Sequence, residues 1–221
     1  MNYHFHWGIV GQNLGYLLHG IWLTLAVTAV SLAVAIVIGL VIGIMRISSK
    51  GVLKRVAGVY VEVFRNTPTL VQLIWVYYCL PVLTGINLSP TSSCIFALSI
   101  NSAAYVAEIF RAGIQAVPSG QLEAARSIGM SYSKAMRKII LPQAVRQMIP
   151  PFVNEFVSLL KYSSLVSVLG VADLTYQAQT LSTTTFRPIE IFTFIGVVYF
   201  LLCWAISAAA HVLEQKIRVI A

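Results

Sequence analysis

The chain has 221 residues, of which 58% are hydrophobic and 10% charged, and a formal net charge of +8. Soluble domains carry about 25% charged residues, so this balance excludes a soluble enzyme and points to lipid as the solvent. The basic residues sit between apolar runs and do not alternate with aromatic residues. That placement argues against nucleic acid as a partner and makes the charge a signal of membrane orientation.

A helix needs about 20 residues to cross the hydrocarbon of a bilayer. The uncharged run Ile21–Met45 meets this, and the spacing predicts span one over 21–45. No basic region precedes the run, and it is too long for a signal peptide. Gly39 and Gly43 form a GxxxG pattern, read as close packing within the chain. No charge occurs from Asn66 to Ala107, which is too long for one crossing, and Pro81, Gly85, Asn87 and Pro90 mark a turn inside it. Spans two and three are therefore expected over 60–82 and 92–115, span four over 151–171 and span five over 191–213. The expected fold is an all-α integral membrane protein, a single domain over 1–221 with five transmembrane helices.

Eleven of the fifteen basic residues then fall on one side of the membrane. Arg46, Lys50, Lys54 and Arg55 follow span one; Arg126, Lys134, Arg137, Lys138 and Arg146 lie between spans three and four; Lys216 and Arg218 follow span five. The opposite side holds only Arg187. Basic loops stay in the cytoplasm, which places the N-terminus outside and the C-terminus inside.

Cys79, Cys94 and Cys203 form no CxxC and no cluster with histidine, so no metal site is expected. Cys79 and Cys94 flank one turn and can pair, although buried free thiols are the preferred reading. HExxH and GxSxG are absent and the four histidines lie near the ends of the chain, so no catalytic residue is expected.

The segment 118–142 does not fit a plain bundle. Pro118 and Ser119 open a helix, with Ser119 as N-cap and Glu123 in the early turns. Gly129 can take the left-handed conformation that ends it, Ser131 can cap a second short helix, and Pro142 disturbs that one. Ala124 and Ala125 make a shallow surface. Such a knuckle suits docking into a groove of another protein, and it equally suits lying on lipid headgroups.

Glu123-Ala124-Ala125, then Gly129, then Ile139, Leu141 and Pro142 match the EAA signature of permease subunits of binding-protein-dependent ABC importers. Tyr60–Pro68, Asn101–Gln115 and the five-span layout resemble the polar amino-acid branch of that family, which takes up histidine, glutamine, glutamate, arginine and cystine. The resemblance implies a type I importer permease that passes a polar amino acid into the cytoplasm, with the elbow as the coupling helix. Gly120, Glu123, Ala124, Ala125, Gly129, Met130 and Ser131 are then the residues that seat in a cleft of the ATPase. The implied partners are a cytoplasmic ATPase dimer, a second permease (identical or homologous), and a periplasmic or lipid-anchored amino-acid-binding protein, in a bacterial plasma (inner) membrane. The sequence has no GxxxxGK[ST] phosphate loop, so no cofactor is expected in this chain, and ATP and magnesium are expected in the partner. The alternative class is an ATP-independent carrier or channel. Such carriers are often built from internal repeats, and none is visible.

Ionisable groups inside lipid usually face a cavity or a partner. Asn101, Tyr105, Glu108 and Arg111 share one face of span three; Asn154, Glu155, Ser158, Lys161 and Tyr162 recur at helical spacing on span four. Glu108–Arg111 and Glu62–Arg65 are expected to pair within their helices. Lys161 and Glu155 can meet the carboxylate and ammonium of an amino acid, with Asn101 adding a neutral contact and Tyr105, Ser158 and Tyr162 lining the path. The rival expectation is that Glu155 and Lys161 pair with each other. The family commonly has Lys-Asp-Thr-Ser-Leu where this chain reads Lys161-Tyr162-Ser163-Ser164-Leu165. Loss of that carboxylate implies glutamine, glutamate or cystine over arginine or histidine.

Overall fold

The computed structural model describes residues 3–219, with side chains described as far as Val212. Lys216 and Arg218 therefore lie outside the described side chains. All regular structure among the described residues is helical: α1 (Gly8–Gln12), α2 (Leu14–Ile47), α3 (Gly51–Arg65), α4 (Thr69–Thr84), α5 (Pro90–Gln115), α6 (Ser119–Ser127), α7 (Tyr132–Leu169), α8 (Leu174–Thr185) and α9 (Pro188–Val219). By length and composition α2, α5, α7 and α9 can cross a membrane, and α3 with α4 makes a fifth, broken candidate.

Three expectations change at this level. Span two is not one helix: α3 stops at Arg65 and α4 restarts at Thr69, because Pro68 disfavours helical geometry at the residue before it. The region around span four is longer than expected, since α7 runs unbroken from the elbow to Leu169 through Pro142, Pro150 and Pro151. Helix α8, between spans four and five, was not expected at all. Its residues 174–185 are rich in threonine and too short and polar to register as a span.

Pro81 and Pro142 do not end their helices, and the reason is local. Each follows a leucine that closes a π turn: Leu80 N–H bonds back five residues to Trp75, and Leu141 N–H bonds to Met136. The wider turn re-registers the ladder at the residue where proline removes a donor. Beside Pro142, Gln143 Nε2 donates to the Ile139 carbonyl at 2.9 Å, giving that oxygen a side-chain partner. The turn expected between Pro81 and Pro90 opens at Gly85, whose φ of +73° ends α4.

The chain divides into two compact units. One comprises Met1–Ala33, Thr67–Ser99 and Phe156–Ile206. Its core holds Val10, Leu17, Leu174, Ala178, Leu181, Ile191 and Ile195. Here α8 starts against α2. Asp173 caps it by accepting the Tyr176 N–H at 2.8 Å, and the Leu174 N–H donates to the buried Thr24 hydroxyl at 3.2 Å. Gly20 allows this approach, because a Cβ there would lie 2.7 Å from the Leu174 backbone. In the same unit the fully buried Glu190, in the first turn of α9, accepts the His6 N–H at 2.8 Å and the Tyr3 hydroxyl, so it ties down the segment before α1.

The other unit comprises Val34–Asn66, Ile100–Glu155 and Ser207–Ala221. Gly39 and Gly43 pack against α5 within the chain: a Cβ on Gly39 would stand 2.5 Å from Val106 Cγ1, and one on Gly43 would stand 2.9 Å from Phe110 Cβ. A second cluster of Val117, Ile140, Ala144 and Met148, flanked by Leu122, Met136 and Ile139, joins the end of α5 to α6 and α7.

Gly20→Ala should destabilise the fold by about 1–3 kcal/mol, the usual cost of overpacking a tight backbone contact. Gly15→Ala, with nothing within 4 Å of its would-be Cβ, should leave stability unchanged. Thermal unfolding of the detergent-purified protein measures the difference, and equal midpoints for the two variants would overturn this packing account.

Candidate functional site

The elbow is built from α6 and the first turns of α7. Pro118, not Ser119, takes the N-cap position of α6, with extended backbone (ψ 133°) and no side-chain cap bond. Gly129 ends the helix at φ +82°. Its N–H donates to Arg126 O at 3.0 Å, and the Met130 N–H reaches back to Ala125 O at 3.1 Å. These two bonds form a Schellman closure, which needs a left-handed residue at Gly129. Ser131 Oγ then accepts the Lys134 N–H at 3.4 Å and starts α7. Gly120, Glu123, Ala124, Gly129 and Ser131 are exposed, and Met130 is half-buried. Ala125 is a correction: it is buried, on the face of α6 turned to the protein, so Ala124 alone offers the shallow surface. The apolar tip that sequence reasoning missed is Ile128, 78% exposed beside the glycine.

Because α7 is continuous, the second half of the elbow is the first turn of a helix that runs on to Leu169. Arg126, Lys134, Arg137 and Lys138 are exposed around it.

Asn101, Tyr105 and Glu155 belong to one unit. Asn101 is buried and donates to the Phe64 carbonyl at 3.1 Å. Phe64 lies in the last turn of α3, where carbonyls lose their intrahelical partners, so Asn101 caps the broken helix from outside. The Arg65 guanidinium lies 5.1 Å from the Tyr105 ring centroid. Glu155 is buried and accepts the Ser102 hydroxyl at 2.6 Å. The expected Glu62–Arg65 pair is thus replaced: Arg65 stacks on Tyr105, and Glu62 accepts Asn66 Nδ2 at 2.9 Å. Ser102 and Arg65 join Asn101, Tyr105 and Glu155 as polar groups here. Ser102 was legible as the neighbour of Asn101, whereas the contact between α3 and Tyr105 had no signal in the sequence.

Ser158, Lys161 and Tyr162 belong to the other unit, so the stripe read on span four is divided. Ser158 is half-buried, while Lys161 and Tyr162 are exposed. Lys161 lines a cavity of about 320 Å³ with Ser164, Thr175, Phe192, Ile195, Gly196 and Tyr199. Below it the Tyr199 hydroxyl donates to Asp173 at 3.3 Å and lies 2.9 Å from the Thr175 hydroxyl. Burial pushes the Asp173 carboxyl up to about 6, against the hydrogen bonds it accepts from Tyr176, Thr175 and Tyr199. Glu155 thus accepts from Ser102 in its own unit, and Lys161 lines this cavity in its own.

Glu108 pairs with Arg111 as expected, at 2.7 Å, and also with Arg46, at 2.9 Å. Each guanidinium takes one carboxylate oxygen, and Arg111 also donates to Gln115 at 2.6 Å. The three cysteines are free thiols, with only Cys94 fully buried. No cluster of metal-ligating side chains occurs among the described residues.

Residues 35–219 match the family described as binding-protein-dependent transport system inner membrane component. The chain belongs to this family. It is 36% identical over 206 residues to the arginine transport system permease protein ArtQ of Bacillus subtilis (strain 168), covering 93% of this chain and 94% of that protein. To the L-cystine transport system permease protein TcyB of the same organism it is 37% identical, covering 96% and 91%. To the glutamine transport system permease protein GlnP of Escherichia coli (strain K12) it is 33% identical, covering 98% and 99%. Its fold matches that of an amino acid ABC transporter crystallised with histidines at a TM-score of 0.92, with 40% identity over 97% of this chain and all of that one. The inward-facing MetNI methionine transporter shares the fold alone, at a TM-score of 0.77 and 23% identity over 92% of this chain and 97% of that one.

Glu108→Ala should destabilise this permease more than Arg111→Ala. The first leaves two guanidiniums without their carboxylate, whereas the second leaves Glu108 still paired with Arg46. A cost of about 1.5–3 kcal/mol for the glutamate is in the range of charged hydrogen bonds. Unfolding midpoints in detergent decide it, and a larger loss for Arg111→Ala would reverse the assignment.

Proposed function

We propose that this chain is the permease subunit of an importer for a polar amino acid, driven by ATP hydrolysis in a separate cytoplasmic ATPase dimer. The observation that carries the reading is the elbow: a helix closed by a left-handed glycine, with an exposed rim and direct continuity into α7. A displacement of α6 passes into α7 through the buried contacts of Ala125, Leu122 and Val117, not through a flexible loop. Gly120, Glu123, Ala124, Gly129, Met130 and Ser131 form the coupling rim, with Ala125 anchoring it from beneath. ATP and magnesium are held by the ATPase. The complex is completed by a second permease, identical or homologous, and by an amino-acid-binding protein outside a bacterial inner membrane. The charge bias orients the chain with its N-terminus outside and its C-terminus in the cytoplasm.

Asn101, Tyr105 and Glu155 in one unit, and Ser158, Lys161 and Tyr162 in the other, are the proposed substrate contacts. Glu155 offers an anion to an ammonium group, and Lys161 a cation to a carboxylate. The arginine, glutamine and cystine permeases resemble this chain to similar degrees, so the choice of substrate rests on Tyr162. With tyrosine in place of a carboxylate, a neutral or acidic amino acid is favoured over arginine or histidine.

Proteoliposomes containing the complete transporter should accumulate amino acid against its gradient only with ATP inside. Gly129→Val should lower that rate by about tenfold or more, since a β-branched residue at positive φ costs about 1–2 kcal/mol before any clash. Concentrative uptake at full rate by the variant, or without the ATPase, would show an ATP-independent carrier instead.

In competition for uptake, arginine should be the weakest rival to glutamine, glutamate and cystine, and Tyr162→Asp should raise arginine transport. Dominant arginine uptake by the wild type would refute the substrate assignment.

A further inference from the structure

Helix α3 presents two adjacent faces that neither the translocation path nor the elbow uses. Gly51, Lys54, Arg55, Gly58 and Glu62 fall on one face, at helical spacing. Val52, Val56, Val59 and Val63 fall on the next and are all at least half exposed. An open groove of about 580 Å³ lies over the boundary between them, with Arg46 at the end of α2 closing one side. Arg46 turns one edge of its guanidinium to Glu108. Its Nη1 lies over Gly58, 3.1 Å from where a Cβ would stand. The glycine thus leaves room for the cation at the groove wall. Glu62 is the one carboxylate among the lining residues, and it accepts Asn66. No ion pair among the described residues engages Lys54 or Arg55. All of these groups belong to one unit.

We infer that this groove binds an anionic phospholipid, with its phosphodiester among Arg46, Lys54 and Arg55 and an acyl chain along Val59 and Val63. Both parts of an amphiphile find their complement within about two helical turns, cations for the headgroup and bare valines for the tail. A free phosphate would use only the first. The orientation proposed above puts the groove in the cytoplasmic leaflet, where anionic lipids meet basic pockets between helices.

The test is native mass spectrometry of the complete transporter extracted from nanodiscs holding equal phosphatidylglycerol and phosphatidylcholine. Wild type should retain phosphatidylglycerol preferentially. Lys54→Gln and Arg55→Gln, both exposed, should each lower its retention about fivefold. Gly58→Leu, which fills the groove without changing charge, should lower retention of both lipids. Inorganic phosphate at millimolar concentration should not displace the lipid. Equal retention of the two lipids by wild type, undiminished phosphatidylglycerol in both charge variants, or displacement by phosphate would each overturn the proposal. Loss of transport with lipid retention intact would count against the importer reading alone.

Discussion

In hydrocarbon no water stands ready to take an unpaired N–H or C=O, so each break in a helix must be repaired by the chain itself. The structure depends on how this permease repairs such breaks at Pro68 and Pro81, and on the same device at Pro142, in the elbow outside the expected spans. Where α3 stops before Pro68, the Asn101 side chain takes up the Phe64 carbonyl from the neighbouring α5. Where Pro81 and Pro142 remove donors, π turns carry the ladder past them, and beside Pro142 the Gln143 side chain bonds the Ile139 carbonyl. These repairs account for polar residues that would otherwise read only as ligands: Asn101 holds the broken helix closed whether or not it also meets substrate.

The repair at Pro142 shapes the elbow. Had the proline ended the helix, the elbow would hang on a loop. With the helix continuous, α6 is clamped between the end of α5 and the start of α7 by Val117, Ile140, Ala144 and Met148. The Schellman closure at Gly129 sets the angle between α6 and α7 with two backbone hydrogen bonds and no side chain. The rim is left exposed.

Charge is placed with the same economy. Glu108 stands between two arginines, one from α2 and one from its own helix, so its carboxylate is neutralised on both sides and leaves a net positive surface toward the groove over α3. In the other unit Glu190 holds the segment before α1, and Asp173 holds the start of α8. Each of these carboxylates, like Glu155 with the Ser102 hydroxyl, has a hydrogen-bond partner, as burial in a low-dielectric interior requires.

The sequence by itself determined the solvent, the helical class, the positions of α2, α5 and α9, and the elbow, because these follow from local quantities: apolar run length, charge placement and the conformational freedom of Gly129. The Glu108–Arg111 pair was legible for the same reason, being three residues apart on one helix. Tertiary structure alone decided that Arg46 joins that pair, that Arg65 leaves Glu62 for Tyr105, and that Ala125 turns inward. Those contacts form between residues dozens of positions apart, or depend on which face a helix buries. Helix α8 also had to wait for the fold, since its polar residues become stable only once Thr24 and Asp173 meet its first turn and Gly20 lets the backbones close.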